Sequence, residues 1–206
     1  MNHLKFKNGF LYTAFKKIIE LLLLVNLVEG FKLIADKITN SGSDYEIRKK
    51  RNKRISVDVF IIFKWGIITL FWLCDFNGRI TFLMTWYLII TNVYTYFYYH
   101  IWDKESLKNV GKDWDLVRRR FINLILAISF AYLYAHQYVD EFTWYTYGSQ
   151  VAQSIWFSVS NSLAANYDAV KIASPLGYSI AMIQLTITFI FITIIVSNSI
   201  PQKPEE

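Results

Sequence analysis

The sequence predicts an all-α membrane protein with four transmembrane helices, a re-entrant helix and loop between the third and fourth, and an amphipathic helix ahead of the first. Three observations carry that expectation. The chain of 206 residues is 54% hydrophobic and 18% aromatic but only 18% charged, where an ordinary soluble domain carries roughly 25% charged residues. Long apolar runs recur, several reaching the roughly 20 residues that a bilayer crossing needs. The basic residues gather in two short clusters beside those runs, which is how orientation in a membrane is encoded. The formal net charge of +6 is therefore read as topology and not as a nucleic-acid footprint. A single cysteine, Cys74, excludes an intrachain disulfide framework.

Residues 10–38 hold an apolar centre, IIELLLLVNLV, interrupted by Glu20 and Asn26 and accompanied by Lys16, Lys17, Glu29, Lys32, Asp36 and Lys37. The run is too short to span, so it predicts an amphipathic helix lying on the membrane surface or against a partner. A cleaved signal peptide is the weaker reading, because no small-residue site follows and a glutamate interrupts the apolar region. Residues 39–45, TNSGSDY, read as a linker. Arg48, Lys49, Lys50, Arg51, Lys53 and Arg54 then mark a cytoplasmic flank. The same six residues offer a contact for anionic lipid, although topology already accounts for them.

Residues 55–74 form the first predicted span, 75–79 a tight outer turn around Asn77-Gly78, and 80–102 a second span rich in tyrosine and tryptophan. Lys64 falls roughly nine residues into the first span, near mid-membrane, where a lysine costs about 2.5–3.5 kcal/mol on insertion scales. Pairing inside the bundle explains it better than voltage sensing, which uses several charges per subunit. Residues 103–120 are polar, with Lys104, Lys108, Lys112, Arg118, Arg119 and Arg120 marking the cytoplasmic side again. Residues 121–139 form the third span. Trp144, Tyr145 and Tyr147 follow as an interfacial aromatic belt, and the fourth span runs from about Leu176 to Ile200. On the side expected to be outer only Arg79 and Lys171 are basic, so both termini are expected in the cytoplasm and the chain in a plasma or inner membrane. The domain reading is an interfacial helix and basic linker at 1–54 and one membrane domain at 55–206, its re-entrant segment at 149–175.

That segment, SQVAQSIWFSVSNSLAANYDAVKIASP, is a short amphipathic stretch followed by a polar turn. Irregular backbone at membrane depth is tolerated only where protein buries it or where it lines water, so the pattern predicts a pore loop. The region from Ser154 to Tyr178 resembles the pore of the potassium-channel superfamily. IWFSV at residues 155–159 resembles the family's pore helix, Tyr167 falls on the filter tyrosine, and Pro175-Leu176-Gly177 resembles the start of the inner helix. The filter departs from the family pattern. Ala164 and Ala165 stand in place of threonine and valine, Asn166 and Asp168 occupy the two glycine positions, and Ala169 replaces the aspartate. Asn and Asp are the non-glycine residues that best tolerate positive φ, so both positions are expected to keep the filter's left-handed backbone. The resemblance implies a homotetramer, with residues 164–168 bounding a path for monovalent cations and Asp168 placing carboxylates at its mouth. Potassium selectivity is expected to be weak or absent, because the threonine ring is missing.

On the fourth span Gln184 and Thr188 share a face, followed by Phe191 and Ile195 as a candidate hydrophobic constriction. Small hydroxylated residues also pack helix against helix in lipid, so the stripe has two readings. Catalysis is not expected: His3, His100 and His136 are scattered, and there is no phosphate loop, serine elbow, metal-ligand spacing or cofactor motif. The alternative to a channel is a non-conducting four-span accessory or effector protein, such as a membrane-acting component of a bacterial defence operon.

Overall fold

The computed structural model describes residues 9–38, 45–98, 113–145 and 148–199. Outside the described residues lie most of the 39–45 linker, the second basic segment up to Lys112, His3, His100, Tyr147 and the C-terminal PQKPEE, together with the side chains of Arg119, Ile195 and Ser197. The described chain is mostly helical. Its helices are α1 (Phe10–Val25), α2 (Leu27–Ile38), α3 (Tyr45–Leu73), α4 (Arg79–Phe97), α5 (Asp113–Tyr132), α6 (Gln150–Ser162) and α7 (Pro175–Ser199). A two-stranded antiparallel ribbon, β1 (Phe142–Trp144) with β2 (Val170–Ile172), is an addition to the all-α expectation. It pairs Phe142 with Ile172 and Trp144 with Val170. Three-residue strands leave too little alternation for a sequence pattern to reveal.

Among the described residues three helices are long and apolar enough to cross a membrane: Tyr45–Leu73, Arg79–Phe97 and the Pro175–Ile194 part of α7. The chain is a membrane protein. The expected third span, 121–139, falls on α5 and the π-helical turn Leu133–Gln137 that follows it; α5 starts at Asp113, ahead of that span, and takes in the charges of Asp113, Asp115, Arg118 and Arg120, so it is not among the three. Tyr138 N–H closes that turn on Leu133 O at 2.8 Å, one residue beyond the α-helical partner.

Contacts divide the chain into two units, residues 1–60 and 61–206. In the first, the predicted amphipathic helix is two helices. Asn26 breaks it, because its side-chain Oδ1 accepts the Val28 N–H at 3.1 Å and so caps α2. Asn26 and Val28 are buried at the elbow, and Phe31 meets Phe60 at 5.2 Å. The basic run lies on helix rather than linker, since α3 starts at Tyr45. Lys53 pairs with Asp36 at 3.2 Å, and the Lys49 ammonium sits 5.3 Å over the Tyr45 ring.

In the second unit, Lys64 is buried and donates to Asn92 Oδ1 of α4 at 2.6 Å, the pairing inside the bundle that its mid-span position required. The main core is aromatic. Tyr134, Phe142 and Phe157 meet in three mutual ring contacts of 5.0–5.3 Å, joining the π-turn, β1 and α6. Phe191 lies 4.3 Å from the Tyr96 ring, joining α7 to α4.

Candidate functional site

Helix α6 begins where Ser149 leaves the extended region and its hydroxyl accepts the Ala152 N–H at 3.2 Å. It runs antiparallel to α5. Gln150 Nε2 donates to Ala135 O at 2.8 Å, and two turns on Ser158 Oγ donates to Ala127 O at 2.7 Å. On its other side α6 meets α7, where a buried polar network is centred on Gln184. Tyr134 OH donates to Gln184 Oε1 at 2.6 Å, and Asn161 Nδ2 donates to the same oxygen at 3.0 Å. Gln184 Nε2 shares its two hydrogens among Ser158 O at 2.9 Å, Ser158 Oγ at 2.7 Å and Ser162 Oγ at 2.8 Å. Asn161 also reaches Ala181 O at 2.9 Å. The far end of α6 thus sits beside the residue nine positions into α7, about 14 Å along its axis.

From there the chain turns back. Leu163 caps α6, Ala164 follows with φ +53°, and Ala165 N–H reaches Ser160 O at 2.8 Å while Ala164 N–H reaches Asn161 O at 3.0 Å. Those two bonds and the left-handed residue form a Schellman ending. The return, residues 163–169, is not helical and joins β2, which lies beside β1. Ala164, Ala165, Asn166 and Asp168 are exposed, and Tyr167 is half-buried against the aromatic core.

The conformation of this loop corrects one expectation. Among the described residues only Asp75 and Ala164 are non-glycine residues with positive φ, so Asn166 and Asp168 do not occupy the left-handed region. The left-handed residue is set by the helix ending at Ala164, and Asn166 Nδ2 instead donates to Asp168 Oδ1 at 2.5 Å. The alternating backbone of a carbonyl filter is therefore not reproduced.

The expected lining stripe of α7 turns toward neighbouring elements within the chain. Gln184 is fully buried in its network, Phe191 is buried on Tyr96, and Thr188 is half-buried. The open face carries Ser179, Thr186 and Thr193, seven residues apart. Ser158, Asn161, Ser162 and Tyr134, the partners of Gln184, were not singled out from the sequence. The available signal was Ser154, Ser158 and Ser162 at intervals of four along one helix, a polar face turned inward.

The start of α7 is fixed by close packing. Pro175 occupies the first helical position, where its missing N–H costs nothing, and Ser174 Oγ accepts Gly177 N–H at 3.0 Å while donating to Glu141 Oε2. A Cβ on Gly177 would lie 2.7 Å from Glu141 O and 2.8 Å from Ile172 Cγ2. This glycine is needed for contact with the ribbon. On the ribbon, Lys171 sits 5.6 Å over the Tyr145 ring, and a hydrogen bond with Tyr145 holds its ammonium above the usual lysine range. Residues 138–175 carry Asp140, Glu141 and Asp168 against Lys171. Among the described residues no group of histidine, cysteine or carboxylate side chains has the geometry to hold a metal ion. Comparisons with protein-family models, with curated proteins and with solved structures find no match to this chain.

Proposed function

We propose that this is an oligomeric, channel-like membrane protein in which α6 and its return loop re-enter the bilayer and bound a weakly selective path for monovalent cations. One observation carries the reading: α6 ends beside Gln184, and the non-helical segment that leaves it is exposed on the surface of the chain. With α7 crossing the membrane, its 25 residues extend about 37 Å. Gln184 then lies inside the roughly 30 Å hydrocarbon layer. Exposed irregular backbone at that depth cannot face lipid; it faces water or another protein. A ring of copies with their loops toward a common axis satisfies both conditions, and four is the number implied by the resemblance of residues 154–178 to the potassium-channel pore.

In this arrangement α3, α4, α5 with its π-turn, and α7 are the four spans, with both termini cytoplasmic. The outer surface near the loop carries three carboxylates against one ammonium, which favours cations. Asn166 and Asp168 line the exposed loop with side-chain oxygens, a poorer discriminator between alkali ions than rigid carbonyl rings. Gln184 and Phe191 serve as packing that holds the loop's scaffold.

Purified protein reconstituted into planar bilayers tests the reading. Cation-selective conductance is expected, with Asp168→Asn moving the reversal potential in a salt gradient toward zero. An oligomer that conducts nothing overturns the channel and leaves the accessory role; a monomer with residues 163–169 labelled freely by lipid-soluble reagents overturns the re-entrant loop as well.

A further inference from the structure

The outer turn between α3 and α4 is tied to the π-turn by a compact set of contacts. Asp75, held at φ +49°, places Oδ1 3.1 Å from His136 Nδ1. The His136 ring lies 4.6 Å from the Tyr132 ring and 5.3 Å from the Trp72 ring. Tyr132 OH donates to Phe76 O, and Gln137 Nε2 donates to Asn77 Oδ1 at 2.9 Å. Three successive residues of the turn are thus gripped from the end of α5 and the π-helical turn that follows it, and such turns are often found at functional positions in helices. The opposite edge of the imidazole is different: Nε2 is buried and has no hydrogen-bond partner among the described residues.

We propose that His136 and Asp75 form an acid-released latch between the α3–α4 turn and the π-turn that leads into β1 and α6. With the imidazole neutral, Nδ1–H donates to Asp75 and the buried Nε2 carries only a lone pair. A proton added from water converts Nε2 into a buried donor facing no acceptor, an arrangement proteins avoid. The compensating attraction to Asp75 is weak, because that side chain is 83% exposed and well screened. The imidazolium therefore turns toward water, leaves the Trp72 and Tyr132 rings, and frees the turn.

The other charged or titratable groups around this point act elsewhere. Arg79, on α4, is exposed beside Asn77, Gly78, Phe82 and Gln137. Tyr132 is engaged with Phe76 O, Asp140 is exposed, and Glu141 is engaged with Ser174. Cys74 is exposed. Helix α6 carries no charged residue, and the charged residues of α5 lie at its opposite end. The latch does not depend on whether the protein conducts.

Hydrogen exchange of the full chain in nanodiscs, corrected for intrinsic rates, reads the latch directly at residues 74–78. Protection in the wild type is expected to fall by at least about tenfold between roughly pH 7.5 and pH 5, as one titrating group permits. Protection within Gln150–Ser162 should stay constant. His136→Phe keeps an aromatic ring between Trp72 and Tyr132 and takes no proton, so its turn should be equally protected at both pH values. Should that variant fail to fold, His136→Gln provides the same comparison. A wild-type turn indifferent to pH, or a variant that loosens in acid as the wild type does, overturns the proposal.

Discussion

Replacing Gln184 by leucine tests whether the wedge of α6 between α5 and α7 is held by polar contacts or by shape alone. The substitution keeps volume and removes the centre of the network. Tyr134 OH loses its acceptor at Gln184 in a fully buried position. An orphaned buried hydroxyl costs about 1–3 kcal/mol. Ser158 keeps its bond to Ala127 O and Asn161 its bond to Ala181 O, so these partners are not orphaned. The remaining lost interhelical bonds are worth about 0.6 kcal/mol each on average in a bilayer. The expected loss is therefore about 3–5 kcal/mol, read as a lower midpoint in denaturant titration in mixed micelles. Gln184→Glu adds a sign that leucine lacks. A carboxylate can accept from Tyr134 and Asn161 but repels Ser158 O, whereas the protonated acid can donate to it. The glutamate variant should therefore gain stability as pH falls, relative to the wild type. A leucine variant within about 0.5 kcal/mol of wild type, or a glutamate variant with no pH dependence, would refute the reasoning.

Ala164→Gly removes the cost of a side chain at φ +53° in the ending of α6 and should stabilise by about 1 kcal/mol, measured by the same titration. Gly177→Ala should destabilise by about 1–3 kcal/mol, since its Cβ would press on Glu141 O and Ile172; increased proteolysis near the β1–β2 ribbon is the accompanying sign. Asn92→Leu, which removes the acceptor that Lys64 uses at 2.6 Å, should cost about 3 kcal/mol, while Lys64→Met combined with Asn92→Leu should recover most of that loss, as thermal melts of the three variants would report.

The sequence makes the spans legible because lipid imposes a composition on them. Residues 80–97 and 176–199 carry no charged residue, and the predicted starts at Ile80 and Leu176 each fall one residue from the observed helix starts. The N-terminal helix was harder, since the break at Asn26 depends on a side-chain bond to Val28 rather than on a proline or glycine. The turn of α6 into its return loop was readable from SNSLAANYD, but not which residue would be left-handed. Spacing from the filter tyrosine pointed to Asn166 and Asp168, yet the backbone is governed by the local ending of α6, which places the unusual φ at Ala164. The polarity of Gln184 alone suggests a lining face; its partners lie 22–50 residues away, a separation over which one helix's pattern carries no information about which face it buries.

Burial of Gln184 changes what the fourth helix can contribute. If the face with Gln184 and Phe191 is committed to α6, Tyr134 and Tyr96, then the face left for a neighbouring copy or for water is the one with Ser179, Thr186 and Thr193. The hydroxyls of Ser179 and Thr193 already donate to Pro175 O and Phe189 O in their own helix, so this face presents little polarity that needs water. Between Thr186 and Thr193 it also carries exposed Phe189 and Ile190. Such a face suits close packing or an apolar constriction better than ion coordination. In the proposed channel, coordinating groups then come from the exposed loop, which makes Asn166 and Asp168, and not the helix, the residues through which ion preference would be altered.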